Sequence, residues 1–278
     1  MPDLSTFAPA PRRDLHVFYV LDTSGSMSGL PIEQLNRAME ETVSALKQLA
    51  KHNDNANLKV AVLDFSSSAD WMQPSGPEEV ADFVWNDLKA GGLTSMGAAL
   101  DELNDKLSRS KFLGSMTGAL MPVVIFMTDG MATDDYQSAL QRINQNKWFK
   151  KATKIGFAIG SDPDEGMIAE IVGNSEAVIR TDDLALFAKL IRFVSVTSST
   201  LASRSQTVST AVSGACVVSQ VRADADPSYV PPSSTSTGDS QSGGGLGSGD
   251  SSATSSSSSI PQATTASPAG NDWDIDQW

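Results

Sequence analysis

The chain has 278 residues, with 20 Lys and Arg against 33 Asp and Glu, a formal net charge of −13 and one cysteine. Acid exceeds base both up to residue 200 and beyond it, which excludes a protein that holds nucleic acid through its phosphates. The absence of any run of about 18 apolar residues excludes a membrane-spanning helix, and Cys216 alone builds neither an intramolecular disulfide nor a cysteine-rich zinc ribbon.

Residues 1–13 form an N-terminal arm. Arg12 and Arg13 precede the apolar run Leu15–Leu21, but Asp14 interrupts, and Asp22 ends the run with no small-x-small cleavage site. This is a buried first strand rather than a signal peptide. With cysteine use that suits a reducing compartment, it leads us to expect a cytoplasmic protein.

Apolar runs then recur at Val17–Leu21, Val60–Leu63, Val123–Met127 and Ile155–Ile159, with a weaker one at Ala177–Ile179. They are continuous rather than alternating, the pattern of parallel strands buried on both faces. Helical spacing separates them. Pro31 opens a helix with Ile32, Leu35, Met39, Val43, Leu46 and Leu49 on one side. Further helices are expected over about Met96–Ser108, Asp134–Asn144 and Leu184–Thr197. Alternating strands and helices predict an α/β fold over residues 14–200, with a Rossmann-like, doubly wound, mostly parallel sheet flanked by helices.

Order is expected to end near residue 200. Residues 201–232 read as a linker of uncertain order, in which the β-branched residues of Ala211–Val221 could form a strand. Residues 233–270 are Ser/Gly-rich, and Ser233–Ser259 has two Asp as its only charges. Such a segment buries too little apolar area to offset the entropy of ordering, so a disordered tail is expected. Residues 271–278 differ again, since Trp273 and Ile275 alternate there with Asp272, Asp274 and Asp276, and Trp278 follows Gln277.

The sharpest motif is Asp22-Thr23-Ser24-Gly25-Ser26-Met27, which follows the first strand directly. It places a carboxylate and two hydroxyls on a turn at a strand's carboxyl end, where open α/β sheets bind ligands. Alone, it could equally be a helix-capping turn. Two segments point to the same place: Thr94, after Gly91-Gly92-Leu93, and Asp129, after Val123–Met127. Asp22, Ser24, Ser26, Thr94 and Asp129 together supply hard oxygen donors suited to Mg²⁺, or Mn²⁺, rather than to zinc. Asp134 and Asp135 read as caps of the helix that follows them, and Asp64 as no nearer than the rim.

These residues, in this order and strand context, resemble a von Willebrand factor type A (VWA) domain with a metal-ion-dependent adhesion site (MIDAS), over roughly residues 14–197. The resemblance implies that Ser24 and Ser26, and Thr94 in one state, ligate the metal directly. It also implies that Asp22 and Asp129 act through water, and that one position stays open for a partner's carboxylate. Gly29-Leu30-Pro31-Ile32-Glu33-Gln34-Leu35-Asn36, Gly91–Leu100 and Thr128–Asp135 are further similar to the TerY branch of bacterial VWA proteins, found with tellurite-resistance and stress-response systems. Relatives of that branch occur beside a protein kinase and a PP2C-type phosphatase, which implies such partners here. Some carry a C-terminal zinc ribbon; here the Ser/Gly tail stands in its place.

The function expected is a non-catalytic, Mg²⁺-dependent adaptor that captures a partner's Asp or Glu. Met27, Leu30, Leu93, Met96 and Met131 are candidates for the specificity rim. Trp273, Ile275 and Trp278 are candidates for a second docking motif, or for self-association through the tail. A subunit of a chaperone-like ATPase–VWA pair is the alternative among binding functions. A metal-dependent phosphohydrolase is the alternative among enzymes, but it lacks a base: neither His16 nor His52 adjoins a candidate nucleophile. An aspartyl phosphatase needs a second Asp where Ser24 stands, and Gly91-Gly92 lacks the Gly-Lys-Ser/Thr ending of a phosphate loop.

Overall fold

The first strand, β1 (Arg13–Asp22), explains the architecture, because its two faces bury different residues. In the computed structural model, which describes residues 12–114, 118–160, 162–181, 184–204 and 212–225, Leu15, Val17, Tyr19 and Leu21 enter one core and Phe18 and Val20 another. The other long strands repeat this division. They are β2 (Ala56–Phe65), β5 (Val123–Thr128) and β6 (Thr153–Ile159), while β7 (Val178–Thr181) closes one edge. Each buries both faces, so the apolar runs are continuous.

The strand order is β3-β2-β1-β5-β6-β7, where β3 (Ala69–Trp71) and β4 (Glu78–Glu79) pair antiparallel with β2 and every other pairing is parallel. The chain leaves β1 for β2 through α1 (Leu30–Lys51), then crosses back through α2 (Met96–Lys106) to β5 on the other side of β1. The winding therefore reverses between β1 and β5. At such a reversal, loops at the carboxyl ends part and leave a crevice.

Helix α1 and α6 (Leu184–Arg204) cover one face. Helix α2, α3 (Tyr136–Ile143), α4 (Lys147–Lys151) and α5 (Glu165–Val172) serve the other. Where α1 ends, Asn53 donates to Ser203 Oγ on α6 at 2.8 Å. The rest of Asn53 accepts from the amides of Asn55 and Ala56, so one buried side chain ties the turn into β2 to α6. Asn36 on α1 clamps the irregular stretch before α2, donating to the Leu88 carbonyl and accepting from its amide. Among the described residues, no helix is long and apolar enough to cross a membrane.

The region beyond residue 200 departs from expectation. Helix α6 runs to Arg204, and α7 (Gly214–Ala225) follows where the sequence left open a strand over Ala211–Val221, with at most loose association. Val217, Val218 and Val221 are buried in the core shared with α1 and α6. Their spacing suits one side of a helix, and packing on that side outweighs the strand preference of β-branched residues. The seat is close. Thr153 Oγ1 donates to the Val212 carbonyl at 2.6 Å, and a Cβ on Gly214 would lie 1.8 Å from the Lys154 carbonyl oxygen. The tail residues 233–270 and the motif at 271–278 lie outside the described residues. Helix α5 also went unread, although Asp164 before Met167, Ile168, Ile171 and Val172 is an ordinary capped, one-sided pattern.

Gly214→Ala should unseat α7. Loss of the burial of three valines corresponds to roughly 5 kcal/mol. Hydrogen exchange should rise across α7 and leave β1, β2 and β5 protected.

His16 makes a second prediction. It is buried on β1, stacked on Phe18, and its Nδ1 has no hydrogen-bond partner. Burial lowers its pKa from 6.5 to about 4, with Asp14 opposing and Lys59 adding to the effect. The unfolded chain then takes up a proton that the folded chain refuses as pH falls from 6.5 to about 4. Stability should fall over that window by about 3 kcal/mol from this residue. Urea titrations of His16→Leu should show a correspondingly flatter pH dependence there.

Candidate metal-binding site

Asp22 and Asp129 converge because β1 and β5 are parallel neighbours, with Leu21 beside Met127. Each loop leaves its strand at the same end. After Asp22 the chain makes a single 3₁₀ turn at Gly25–Met27, which presents Ser24 and Ser26 side by side with their hydroxyls 3.0 Å apart. Ser26 Oγ donates to Asp129 Oδ1 at 2.8 Å. A Cβ on Gly130 would lie 3.6 Å from Thr94 Oγ1 and 3.7 Å from Ser26 Oγ, so Thr94 and Ser26 border the same small space.

Asp22 is held from both sides. Its Oδ1 accepts from the Ser24 amide at 2.8 Å, and its Oδ2 accepts a short hydrogen bond from Thr128 Oγ1. The sequence reading missed Thr128, though its place between the strand and Asp129 was a visible signal. All five expected donors are therefore brought together. Asp22, Ser24 and Thr94 are buried, whereas Ser26 is exposed and Asp129 partly so. The site opens to solvent on the Ser26 side.

Backbone bonds fix the loops to one another. The Gly25 amide donates to the Gly92 carbonyl at 3.1 Å and the Gly91 amide to the Thr23 carbonyl at 2.8 Å. Gly92 has φ +89°, and a Cβ there would lie 2.6 Å from Ser67 Oγ, so glycine is needed for that approach. Thr94 and Thr133 then bind each other: the Thr133 amide reaches the Thr94 carbonyl at 2.8 Å, and the Thr94 amide reaches Thr133 Oγ1 at 3.2 Å.

Several expectations need correction. Asp135 does cap α3, accepting from the Ser138 amide at 3.1 Å. Asp134 instead crosses to α2, where its two oxygens accept from the Gly97 and Ala98 amides at 2.9 and 3.0 Å. Free amides at a helix start attract a carboxylate from wherever the fold supplies one. Met27 and Met96, expected on the rim, are buried in the two cores, because Met27 closes the 3₁₀ turn and Met96 opens α2, each on the side that faces the sheet. Leu30, Leu93 and Met131 are exposed as expected. Asp64 lies opposite Asp70 on β3, apart from the Ser24–Ser26–Asp129 chain. Trp273, Ile275 and Trp278 lie outside the described residues.

The electrostatics are unbalanced. Burial pushes the Asp22 pKa up, against hydrogen bonds from Thr128 and Ser24, and the charge of Asp129 pushes it further. Burial pushes Asp129 up as well, against its bond from Ser26. Among the described residues, no three His, Cys, Asp or Glu side chains form a metal-holding group. What converges here is two carboxylates and three hydroxyls. Such an all-oxygen set, with negative charge and no base to balance it, fits a hard divalent cation. Ser24, Ser26 and Thr94 would hold it, with Asp22 and Asp129 supplying the charge.

The model of one family, described as the von Willebrand factor type A domain, matches residues 16–192. No curated protein matches the sequence. Among solved structures, a von Willebrand factor type A protein from Catenulispora acidiphila is similar at 19% identity over 66% of this chain and 42% of that one, with a TM-score of 0.50. The pilus adhesin SpaC from Lactobacillus rhamnosus GG, in an open conformation, is similar at 10% identity over 66% and 30%, with a TM-score of 0.51. Proximal thread matrix protein 1 from the mussel byssus, with a zinc-occupied MIDAS motif, has 19% identity over 66% and 48% and a TM-score of 0.49. The chain spans less than half the length of each of these proteins.

In metal-free solution Asp22→Asn should fold at least as stably as the wild type at pH 7. The amide can keep the Ser24 contact and donate to Thr128, and it removes a buried charge. The sign follows from the raised pKa: the folded wild type holds its proton at higher pH than the unfolded chain, so the wild type gains stability as pH falls through that raised value. Urea midpoints of the two proteins, taken in EDTA from pH 7 to 4, should converge as pH falls.

Proposed function

Because the chain belongs to the von Willebrand factor type A domain family, we propose that it is a non-catalytic adaptor that binds protein partners through a divalent cation. Domains of this family are commonly adhesion or interaction modules. The observation that carries the reading is the chain Ser24–Ser26–Asp129, with Asp22 and Thr94 beside it and solvent access on one side. Mg²⁺ is the ion we assign, and Mn²⁺ would fit the same donors. Neutral hydroxyl ligands leave the ion electrophilic, so a carboxylate from a partner completes its shell. The likeness of the three loops to the TerY branch supports a cytoplasmic role in a bacterial stress-response or phosphorylation-signalling system, with a kinase and a PP2C-type phosphatase as partner classes. Trp273, Ile275 and Trp278 form a second docking element that works without metal.

Hydrolysis is the weaker reading. His16 lies on β1 six residues before Asp22, about 20 Å along the strand, and His52 lies past the far end of α1. Neither could serve as a base at the loop end.

The test uses three baits in native lysate: wild type, Asp22→Ala and a chain ending at residue 270. Mg²⁺ at a hundred times its Kd should stabilise the wild type by about 2.7 kcal/mol and leave Asp22→Ala unchanged. A protein retained by the wild type and the shortened chain in Mg²⁺, and lost in EDTA and with Asp22→Ala, is the expected result. Retention indifferent to metal and to Asp22 would sink the metal-bridge reading.

A further inference from the structure

We infer that the metal face selects a partner segment carrying one isolated Asp or Glu among apolar residues, and rejects polyacidic and phosphorylated segments; the inference rests on the metal reading above. Among the described residues only four large apolar side chains are exposed, and three of them stand on the three site loops. Leu30 (64% exposed) follows Ser26 at the start of α1, Leu93 (59%) precedes Thr94, and Met131 (64%) follows Gly130. Exposed leucine and methionine at that density around a polar centre mark an interaction surface rather than ordinary surface composition.

Charge supplies the second half of the argument. Residues 22–36, 90–105 and 128–141, which carry the site and the helix starts behind it, contain no Lys or Arg. Each segment carries acids, and Glu33 and Asp135 are exposed beside the site loops. Of the bases that flank these segments, Arg37 pairs with Glu41, Lys106 with Glu102 and Asp105, and Arg142 with Asp101, while Lys89, just before Ala90, is exposed. Within these three segments the cation is thus the only positive charge, with Lys89 the one exposed base at their border. One carboxylate is attracted to it. Each further acid would meet the field of Glu33, Asp135 and the site's own carboxylates. A phosphate dianion, which proteins hold with guanidinium and ammonium groups, would find none on the three segments themselves.

The bound segment follows from these two constraints. In an extended chain residues two apart project on the same side. A partner reaching down to the cation with one carboxylate therefore sets its residues two before and two after against the collar, and those residues should be Leu, Ile, Met or Phe. Lys or Arg further out would face Glu33 and Asp135. Residues 271–278 do not have this form, because Asp272, Asp274 and Asp276 would stand together on one side, with Trp278 alone beside them and Trp273 and Ile275 on the other.

The experiment is a random-peptide phage selection on the immobilised full chain in Mg²⁺, eluted with EDTA, and repeated on the full-length L30S/L93S/M131S protein. Calorimetry of Mg²⁺ alone on both proteins reads the metal site separately. The expected result is equal Mg²⁺ binding by the two proteins. The wild type should enrich peptides with a single acid and apolar residues two positions away. The triple variant should bind those peptides at least ten-fold more weakly. A synthetic peptide of residues 271–278 should also bind the wild type at least ten-fold more weakly than the selected peptides. Enrichment of polyacidic peptides, single-acid peptides with no apolar preference, or no EDTA-eluted peptides from a protein that binds Mg²⁺ would each overturn the inference. Failure to bind Mg²⁺ at all would instead bring down the metal reading beneath it.

Discussion

The parallel pairing of β1 with β5 is the constraint on which the loop end of this protein depends. Because the two strands run side by side in one direction, their carboxyl ends deliver Asp22 and Asp129 to one place. Because the winding reverses there, the loops that follow go to opposite faces and leave room between them. The third loop, before α2, is fastened to the first by Gly25–Gly92 and Gly91–Thr23 backbone bonds and to the last by Thr94 and Thr133. Main-chain geometry therefore brings the side chains of the site together, and the Ser24–Ser26–Asp129 and Thr128–Asp22 hydrogen bonds orient them. Main-chain bonds between rigid elements hold position more tightly than bonds between mobile side chains.

That rigidity comes with an electrostatic cost. Two carboxylates are drawn into partial burial with only hydroxyls and amides to receive them. Ordinary folds pair buried acids with bases, as Lys59 pairs with the buried Asp14 near the start of β1. At the loop end the sequence offers no such partner. This contrast between the two ends of the same strand is what the proposed cation would resolve.

Much of this was legible before any coordinates. The strands were readable because burial on both faces makes their apolar runs continuous, and the candidate site was readable because Asp22 and Asp129 follow buried strands and Thr94 follows a glycine loop before a helix. What escaped reading was decided by tertiary contact. Val217, Val218 and Val221 look like strand residues, and only the groove beside α6 makes them one side of a helix. Asp134 and Asp135 look alike in sequence, yet one caps α3 and the other reaches back to α2. Met27 and Met96 sit next to site residues in the chain and still point away from them, since neighbours in sequence take different faces of a turn. The short strands β3 and β4 carry too few residues to show any period.

The site's bonds also span unusual lengths of chain. Ser26 and Asp129 are 103 residues apart, and Thr128 and Asp22 are 106 apart. During synthesis the amino-terminal loop emerges long before the strand that completes it, and contacts this distant in sequence form late. A nascent chain that has made β1, α1 and β2 holds Asp22, Ser24 and Ser26 but has no Asp129 to close the ring. The proposed partner contact therefore waits on the insertion of β5 beside β1, a step that can precede the synthesis of β6, β7, α6 and α7. The long sequence separation ties the candidate site to that one strand pairing.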